Sequence, residues 1–521
     1  MATLRLAAAL VLSCGSSACA ISVPSIDQQS VLRRHYIVAH EDGWPITDDP
    51  RLPRRDLSAQ DYDAQLAGIL AGIDRHAQRL WARPNHQGDP LRLLLFVHGG
   101  LNGYGAGFAR MTEMLPGRGA RREGEEAEVC PDMLAADPTY PLFSSAWCGR
   151  AQTTYYPVFI NWNSGLVDSI GDDLIFIRFG RRLQGPWKAG GLASMPFVLG
   201  ARVAEAVFSL PNSVGSNVMR FWAGRPEAAD LVEGAVMSPI RLLTTPALKA
   251  FGTAAWEIMK RRAELVTAEH LPDNGTGIRE GAARGLVRKI AERIGPRGDG
   301  FGWQLDGEST PRGPVEVTLV GHSMGAIVIN RLLATEPTFP VTRIVYLAPA
   351  ASNYEIELLV EPHLRRGSAA ATSGTTPGGA GGGSGPSRFH TYALHSHDEN
   401  LETQPKSFIL PRGTLLVWID NYFEPVVAAG HQRFGRYQGY RSYYAPDGRA
   451  RRARIAGHEP CQWSRLDVQR PVRHGDLDAP AIVARVLAQV DPAAFAEWKP
   501  TVSPPVEMAP VPCEAEAPRA R

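Results

Sequence analysis

Apolar positions along this chain switch between two periods. Between Ser58 and Trp81, Leu66, Ile69, Leu70, Ile73, Ala77 and Leu80 recur at three- and four-residue steps, which puts them on one helical face, and Ser58 with Asp61 three residues on makes a capping-box-like start. An amphipathic helix to about Trp81 is expected. Next, "LRLLLFV" (Leu91 to Val97) is a nearly continuous apolar run halted by His98-Gly99-Gly100, the pattern of a strand buried on both faces of a parallel sheet. Runs of the same kind recur as "YYPVFINW" (155–162), Val315 to Val320, "RIVYLAPA" (343–350) and "FHTYALHS" (389–396). Near the C-terminus, "SRLDVQRPVRHGDLDAPAIVARVLAQV" reads as a strand-like segment, then His-Gly-Asp, then a helix opened by Pro480. Short buried strands alternating with helices predict an α/β fold built on a doubly wound, mostly parallel sheet.

One stretch breaks the alternation. From 165 to about 300 the pattern is helical with no evident strand, and "LIFIRF", "SMPFVLGARVAEAVFSL" and "SNVMRFWAG" are unusually apolar for a surface excursion. Thr245 and Pro246 read as a cap and first helical position, with Leu248, Phe251, Ala255, Ile258 and Met259 at helical spacing after them. This is read as a large helical cap inserted over the carboxyl edge of the sheet, with a separate helical domain as the alternative. The core then comprises residues 21–164, 301–366 and 388–499. Residues 367–387, "GSAAATSGTTPGGAGGGSGPS", are a Gly/Ser-rich loop with nothing to bury, and residues 500–521 form a Pro-rich tail.

At the N-terminus, Arg5, the apolar run Leu6 to Leu12 and the small residues after it follow the order of an export signal, residues 1–20, and the run is too short to cross a bilayer. "SACA" offers a cleavage site closing at Ala20, while "VLSC" and "SSAC" resemble the lipid-attachment box of bacterial lipoproteins. Cleavage at Ala20 or lipidation of Cys19 leaves Cys130, Cys148, Cys461 and Cys513; lipidation of Cys14 leaves an odd thiol. An even set in an oxidising compartment points to disulfides. Cys130 with Cys148 closes the shortest loop and would contribute about 3 kcal/mol; buried free thiols are the alternative. A periplasmic, outer-membrane or secreted location follows, with attachment to a membrane surface through a lipid or the apolar cap. The formal net charge of +2 carries no basic footprint, which argues against nucleic acid as a partner. Only six basic residues are lysines, a bias of base composition, so single arginines are not read as binding sites.

The chemistry concentrates at "VTLVGHSMGAIVINRL", 317–332. Gly321-His322-Ser323-Met324-Gly325 is a G-x-S-x-G motif between a strand and a helix, where it makes a nucleophile elbow. The turn has no room for Cβ atoms beside the serine, so Ser323 is expected on strained backbone with its hydroxyl exposed at the sheet edge. The Met324 N–H and the helix dipole then face a developing oxyanion. His98-Gly99-Gly100-Leu101-Asn102 supplies a second signal: Gly-Gly lets the backbone bend so that the N–H of Gly100 or Leu101 faces the serine. The His98 side chain is better read as a structural histidine bonding backbone.

These residues resemble the α/β-hydrolase superfamily, and the resemblance covers most of the chain outside the signal, the insertion and the tail. It implies a triad in the order Ser, acid, His. The acid is placed after the strand 389–395, where Asp398 is chosen, with Glu399 and Glu402 in reserve. The base is placed after the final strand, where His474 fits and His431 and His458 are rivals. "LHSHDEN" sets His395, His397 and Asp398 side by side, but no completed metal motif accompanies them, so neither a metal nor another cofactor is expected. The resemblance implies an exported serine hydrolase of carboxylic esters, lipid esters included, acting through an acyl-enzyme. Thioesterase, amidase or acyltransferase chemistry uses the same triad, and a non-catalytic exported binding protein is the rival from another class.

Overall fold

The structure, a computed structural model, describes residues 33–47, 55–84, 86–100, 104–114, 155–178, 181–183, 187, 189–202, 204, 249–298, 300–365, 388–394, 414–424, 433–436, 458–463 and 474–495. The export segment, Cys130, Cys148, Cys513, Thr245–Pro246, Leu101, the Gly-rich stretch, His395, His397, Asp398, Glu399, Glu402, His431 and the tail lie outside the described residues.

The chain forms a mixed α/β structure around a curled sheet of nine strands. In chain order its strands are β1 (Tyr36–Ala39), β2 (Leu91–Val97), β3 (Tyr155–Trp162), then, after a small separate hairpin β4 (Ile177–Arg178) and β5 (Arg181–Arg182), β6 (Ile294–Arg297), β7 (Gly300–Trp303), β8 (Gly313–His322), β9 (Arg343–Leu347), β10 (Arg388–Leu394) and β11 (His458–Trp463). Seven run parallel in the order β1-β3-β2-β8-β9-β10-β11; β7 lies antiparallel to the start of β8, and β6 antiparallel to β7. Every residue of β2 and β3 is buried. That is why they read as unbroken apolar runs rather than alternating ones.

Helices are α1 (Ala59–Ala82), α2 (Tyr104–Met114), α3 (249–266), α4 (Ala282–Ala291), α5 (Gly325–Thr335) and α6 (Pro480–Val490). Ser58 caps α1 by accepting the Asp61 N–H at 3.1 Å, as its spacing implied, and Pro480 opens α6. One group of helices, α1, α4 and α5, packs together and against β1, β2, β3 and β8; α2 and α6 pack on each other, with α2 against β3.

Three features differ from the sequence reading. β1, with only four apolar residues, gives no periodic signal, and "IGPR" and "GFGW" of β6 and β7 carry the glycines and proline that ordinarily mark loops. Their partners make them strands, because pairing and burial override local propensity. The last strand is His458–Trp463, earlier than the strand-like segment expected before His474, and 464–473 lie outside the described residues. Finally, the supposedly strandless stretch 165–300 holds β4, β5 and β6, and from Trp256 onward its apolar residues (Met259, Ala263, Val266, Leu286) share one core with the sheet. The helical segment 189–202 is different: it and Trp187 leave Trp187 73%, Leu192 59% and Phe197 80% exposed. Among the described residues no helix is long and apolar enough to cross a membrane.

Register places the site. Ile160, Val97, Gly321 and Tyr346 are successive neighbours across β3, β2, β8 and β9, so the loops after these four strands emerge at one level. The carboxyl edge of a parallel sheet is where such loops build binding sites.

Candidate active site

β8 ends at His322, Met324 is the N-cap of α5, and Ser323 between them has φ +49°, a left-handed conformation that costs a non-glycine residue about 1–2 kcal/mol. Surrounding hydrogen bonds enforce it. The Ser323 N–H donates to the Leu347 carbonyl at 2.8 Å, and the Ser323 carbonyl accepts from the amides of Ala350 at 2.9 Å and Ala326 at 3.2 Å. Both motif glycines are sterically required: a Cβ on Gly321 would lie 2.8 Å from the Ala326 nitrogen, and one on Gly325 would collide with the Val97 carbonyl. The bend therefore joins strand to helix with strained backbone at Ser323 and glycines where side chains would collide.

Exposure runs against the expectation. Ser323 is wholly buried rather than displayed at the sheet edge, and its Oγ has no hydrogen-bond partner. The reason is the loop after β2, which lies directly on the elbow. A Cβ on Gly99 would sit 2.8 Å from the Ser323 Cβ and 2.5 Å from His322 Nδ1; one on Gly100 would sit 2.9 Å from the Met324 Sδ. Gly100 and Met324, two of the three expected oxyanion donors, are therefore neighbours, and Leu101 lies outside the described residues. As the N-cap of α5, Met324 has one of the amides that a helix leaves without an intrahelical acceptor.

His98 pins this loop. Its Nδ1 donates to the Gly99 carbonyl at 2.9 Å and its Nε2 accepts the Trp162 N–H at 3.2 Å, with Asn161 Oδ1 also 3.0 Å from Nε2. Burial lowers its pKa, against the pull of the Gly99 carbonyl and the Asn161 side chain. It is a structural imidazole held neutral. The Gly99 carbonyl accepts a second bond from Ser164 Oγ at 2.8 Å.

His474 opens a short turn, His474–Asp476, between β11 and α6, and is buried next to the elbow. Its carbonyl accepts a hydrogen bond from His322 Nε2 at 3.0 Å, and the two rings lie 5.1 Å apart. Burial, helped by His322, lowers its pKa to about 3, with Asp478 pulling the other way. The ring is thus neutral at physiological pH, as a general base must be. Its rival His458 is the first residue of β11, level through Phe389 and Ile344 with Leu319. That is four residues, about 13 Å, short of Ser323 along the strand direction. Of the chosen serine, acid and base, the structure brings Ser323 and His474 to one edge, while Asp398 lies outside the described residues.

Sequence reasoning overlooked a second imidazole–carboxylate contact in the same place. His322 Nδ1 lies 3.2 Å from Asp478 Oδ2, in ion-pair contact although off the line of a good hydrogen bond, and Asp478 Oδ1 lies 3.3 Å from Arg110 Nε on α2. Burial alone would raise the Asp478 pKa; His322, Arg110 and His98 outweigh it and hold the carboxyl below its usual range. The signal was available, since His322 is inside the motif and Asp478 follows His474 by one helical turn. On the other side, the buried Arg433 guanidinium donates to the Ala350 carbonyl at 3.2 Å and pairs with Asp420 at 3.2 Å, bracing the loop whose Ala350 amide holds Ser323.

Among the described residues no cluster of three or more His, Cys, Asp or Glu side chains is arranged to hold a metal. No protein-family model, no curated protein and no solved structure matches this chain.

Proposed function

We propose that this protein is an exported serine hydrolase of α/β-hydrolase fold that cleaves carboxylic esters, lipid esters among them, through an acyl-enzyme. Two helical groups on a mostly parallel sheet, with a serine on the strand-to-helix bend, support the fold assignment. In this reading Ser323 Oγ attacks the ester carbonyl and His474 accepts its proton. The amides of Met324 and of Gly100 or Leu101 hold the oxyanion, and Asp398 orients the imidazole. The leaving alcohol takes the proton back from His474, and water then releases the acid by the same route.

The observation that carries the proposal is the state of Ser323: strained backbone and a buried hydroxyl without a partner. An unsatisfied buried polar group costs about 1–3 kcal/mol, and the backbone strain adds to it. Ala348, at φ +42°, is strained without bearing a reactive group, so it is the combination of strain with an unpartnered hydroxyl at Ser323 that carries the reading. The resting hydroxyl does not bond His474, so on this reading that bond forms when substrate displaces the Gly99 loop or the 474–478 turn, as catalytic hydrogen bonds commonly tighten on binding.

Complete burial of the hydroxyl is also what a non-catalytic binding protein with this fold would show, and reactivity separates the two. A fluorophosphonate probe is expected to label the wild-type protein and to fail on Ser323→Ala; an unlabelled wild type would favour the binding protein. His474→Ala should reduce p-nitrophenyl ester hydrolysis by at least about 10³-fold. Comparing Asp398→Asn with Asp478→Asn then identifies the acid, because replacing a base's orienting carboxylate costs about 10⁴-fold.

A further inference from the structure

Ser323 and His474 leave one constellation at the elbow without a role: the buried His322 and Asp478, with the half-buried Arg110 beside them. Each ring nitrogen of His322 faces an acceptor. A carbonyl oxygen cannot donate, so the 3.0 Å contact to the His474 carbonyl requires a proton on Nε2. Nδ1 faces the Asp478 carboxylate, 2% exposed, whose other oxygen is in contact with the Arg110 guanidinium. Arg110 comes from α2, His322 from the end of β8, and His474 and Asp478 from the turn before α6, so three separate elements converge on one side chain. Gly99 has no Cβ where one would strike His322 Nδ1, so the loop after β2 is also shaped around this ring.

We propose that His322 is a positioning residue: with Asp478 behind it, the ring clasps the His474 turn onto the elbow and sets the distance between the base and Ser323. The residue beside the nucleophile thereby fixes the base through the base's own backbone. This rests on the serine hydrolase reading above, yet the clasp has its own signature. A misplacement of the base by about 1 Å costs about 10²-fold in rate. His322→Ala should therefore lower kcat on p-nitrophenyl acetate by about 10²-fold, and fluorophosphonate labelling by a similar factor, with KM within about threefold of wild type. His322→Gln keeps an N–H donor near the Nε2 position and should recover roughly tenfold of that loss, one hydrogen bond's worth. Asp478→Asn should fall between the two.

In wild-type protein labelled with 15N-histidine, the His322 Nε2–H should give an exchange-protected ring proton that disappears in His322→Ala. Equal kcat in wild type, His322→Ala and His322→Gln, or His322→Gln no better than His322→Ala, would overturn the clasp. So would the absence of the protected proton, whether or not the protein hydrolyses esters. An unlabelled, inactive wild type that retains the protected proton would instead sink the hydrolase reading and leave the clasp standing as a structural contact.

Discussion

The two ends of the central strands treat buried polar groups differently. At the amino ends of β2, β3, β8 and β9, Asp491 Oδ2 receives Arg92 Nε at 3.0 Å, the Tyr155 hydroxyl at 2.8 Å and Arg343 at 3.3 Å, while Glu316 pairs with Arg343 at 2.8 Å. Two cations meet two anions, and the tyrosine's pKa is raised by burial and by Asp491. At the carboxyl ends the serine hydroxyl has no partner and its backbone is strained, and glycines stand wherever a side chain would intrude. The amino-end groups are charged and paired with one another, although Arg343 Nε lacks a hydrogen-bond partner as the serine hydroxyl does; what sets the carboxyl end apart is that its unpartnered group is an uncharged hydroxyl on strained backbone.

Acid should test both ends at once, and with the largest effect. Burial lowers the pKa of His35 and His390 to about 4 and that of His474 to about 3, helped at His390 by Arg343 and Arg388 and opposed at His35 by its bond to the Pro157 carbonyl. The unfolded chain binds these protons near pH 6.5 and the folded chain refuses them. Stability is therefore complete above pH 6.5 and is lost as pH falls toward 4, by up to about 1.4 kcal/mol per pH unit for each histidine. Chemical denaturation between pH 7 and 4 measures it. His390→Leu should flatten that slope without altering the pH profile of fluorophosphonate labelling, which is expected to follow His474.

Asp491→Ala should break the amino end. It leaves two buried cations, Arg92 and Arg343, sharing Glu316 as their one carboxylate, a loss of about 3–5 kcal/mol in urea denaturation, while the labelling rate per folded molecule stays at the wild-type value. A strongly reduced labelling rate in folded Asp491→Ala would blur the division between the two ends. Gly325→Ala attacks the carboxyl end by driving a Cβ into the Val97 carbonyl. It should cost about 1–3 kcal/mol and also slow labelling, because the elbow must shift.

The smallest change has the opposite sign. Ser323→Gly removes both the orphaned hydroxyl and the positive-φ penalty, so it should abolish labelling and raise stability by about 1 kcal/mol, visible as a higher Tm. A lower Tm would mean that the hydroxyl and its backbone contribute to the fold after all.

Much of this molecule was legible in its residues because the signals are local. A run such as Leu91 to Val97 reads as a doubly buried strand from seven positions alone, Ser58 caps α1 within one turn, and G-x-S-x-G describes a bend whose steric demands lie within five residues. What could not be read is whatever depends on partners far along the chain. β1, β6 and β7 are strands because neighbours complete them. Ser323 is hidden because a loop from β2 folds over it, and His322 faces the carbonyl of His474 across 152 positions. The sequence by itself determined the bend and the residue on it, since backbone sterics act between adjacent residues. Only the tertiary structure decided that the hydroxyl is buried and that His322 and Asp478 meet behind it, since burial and charge pairing belong to groups the chain brings together only on folding.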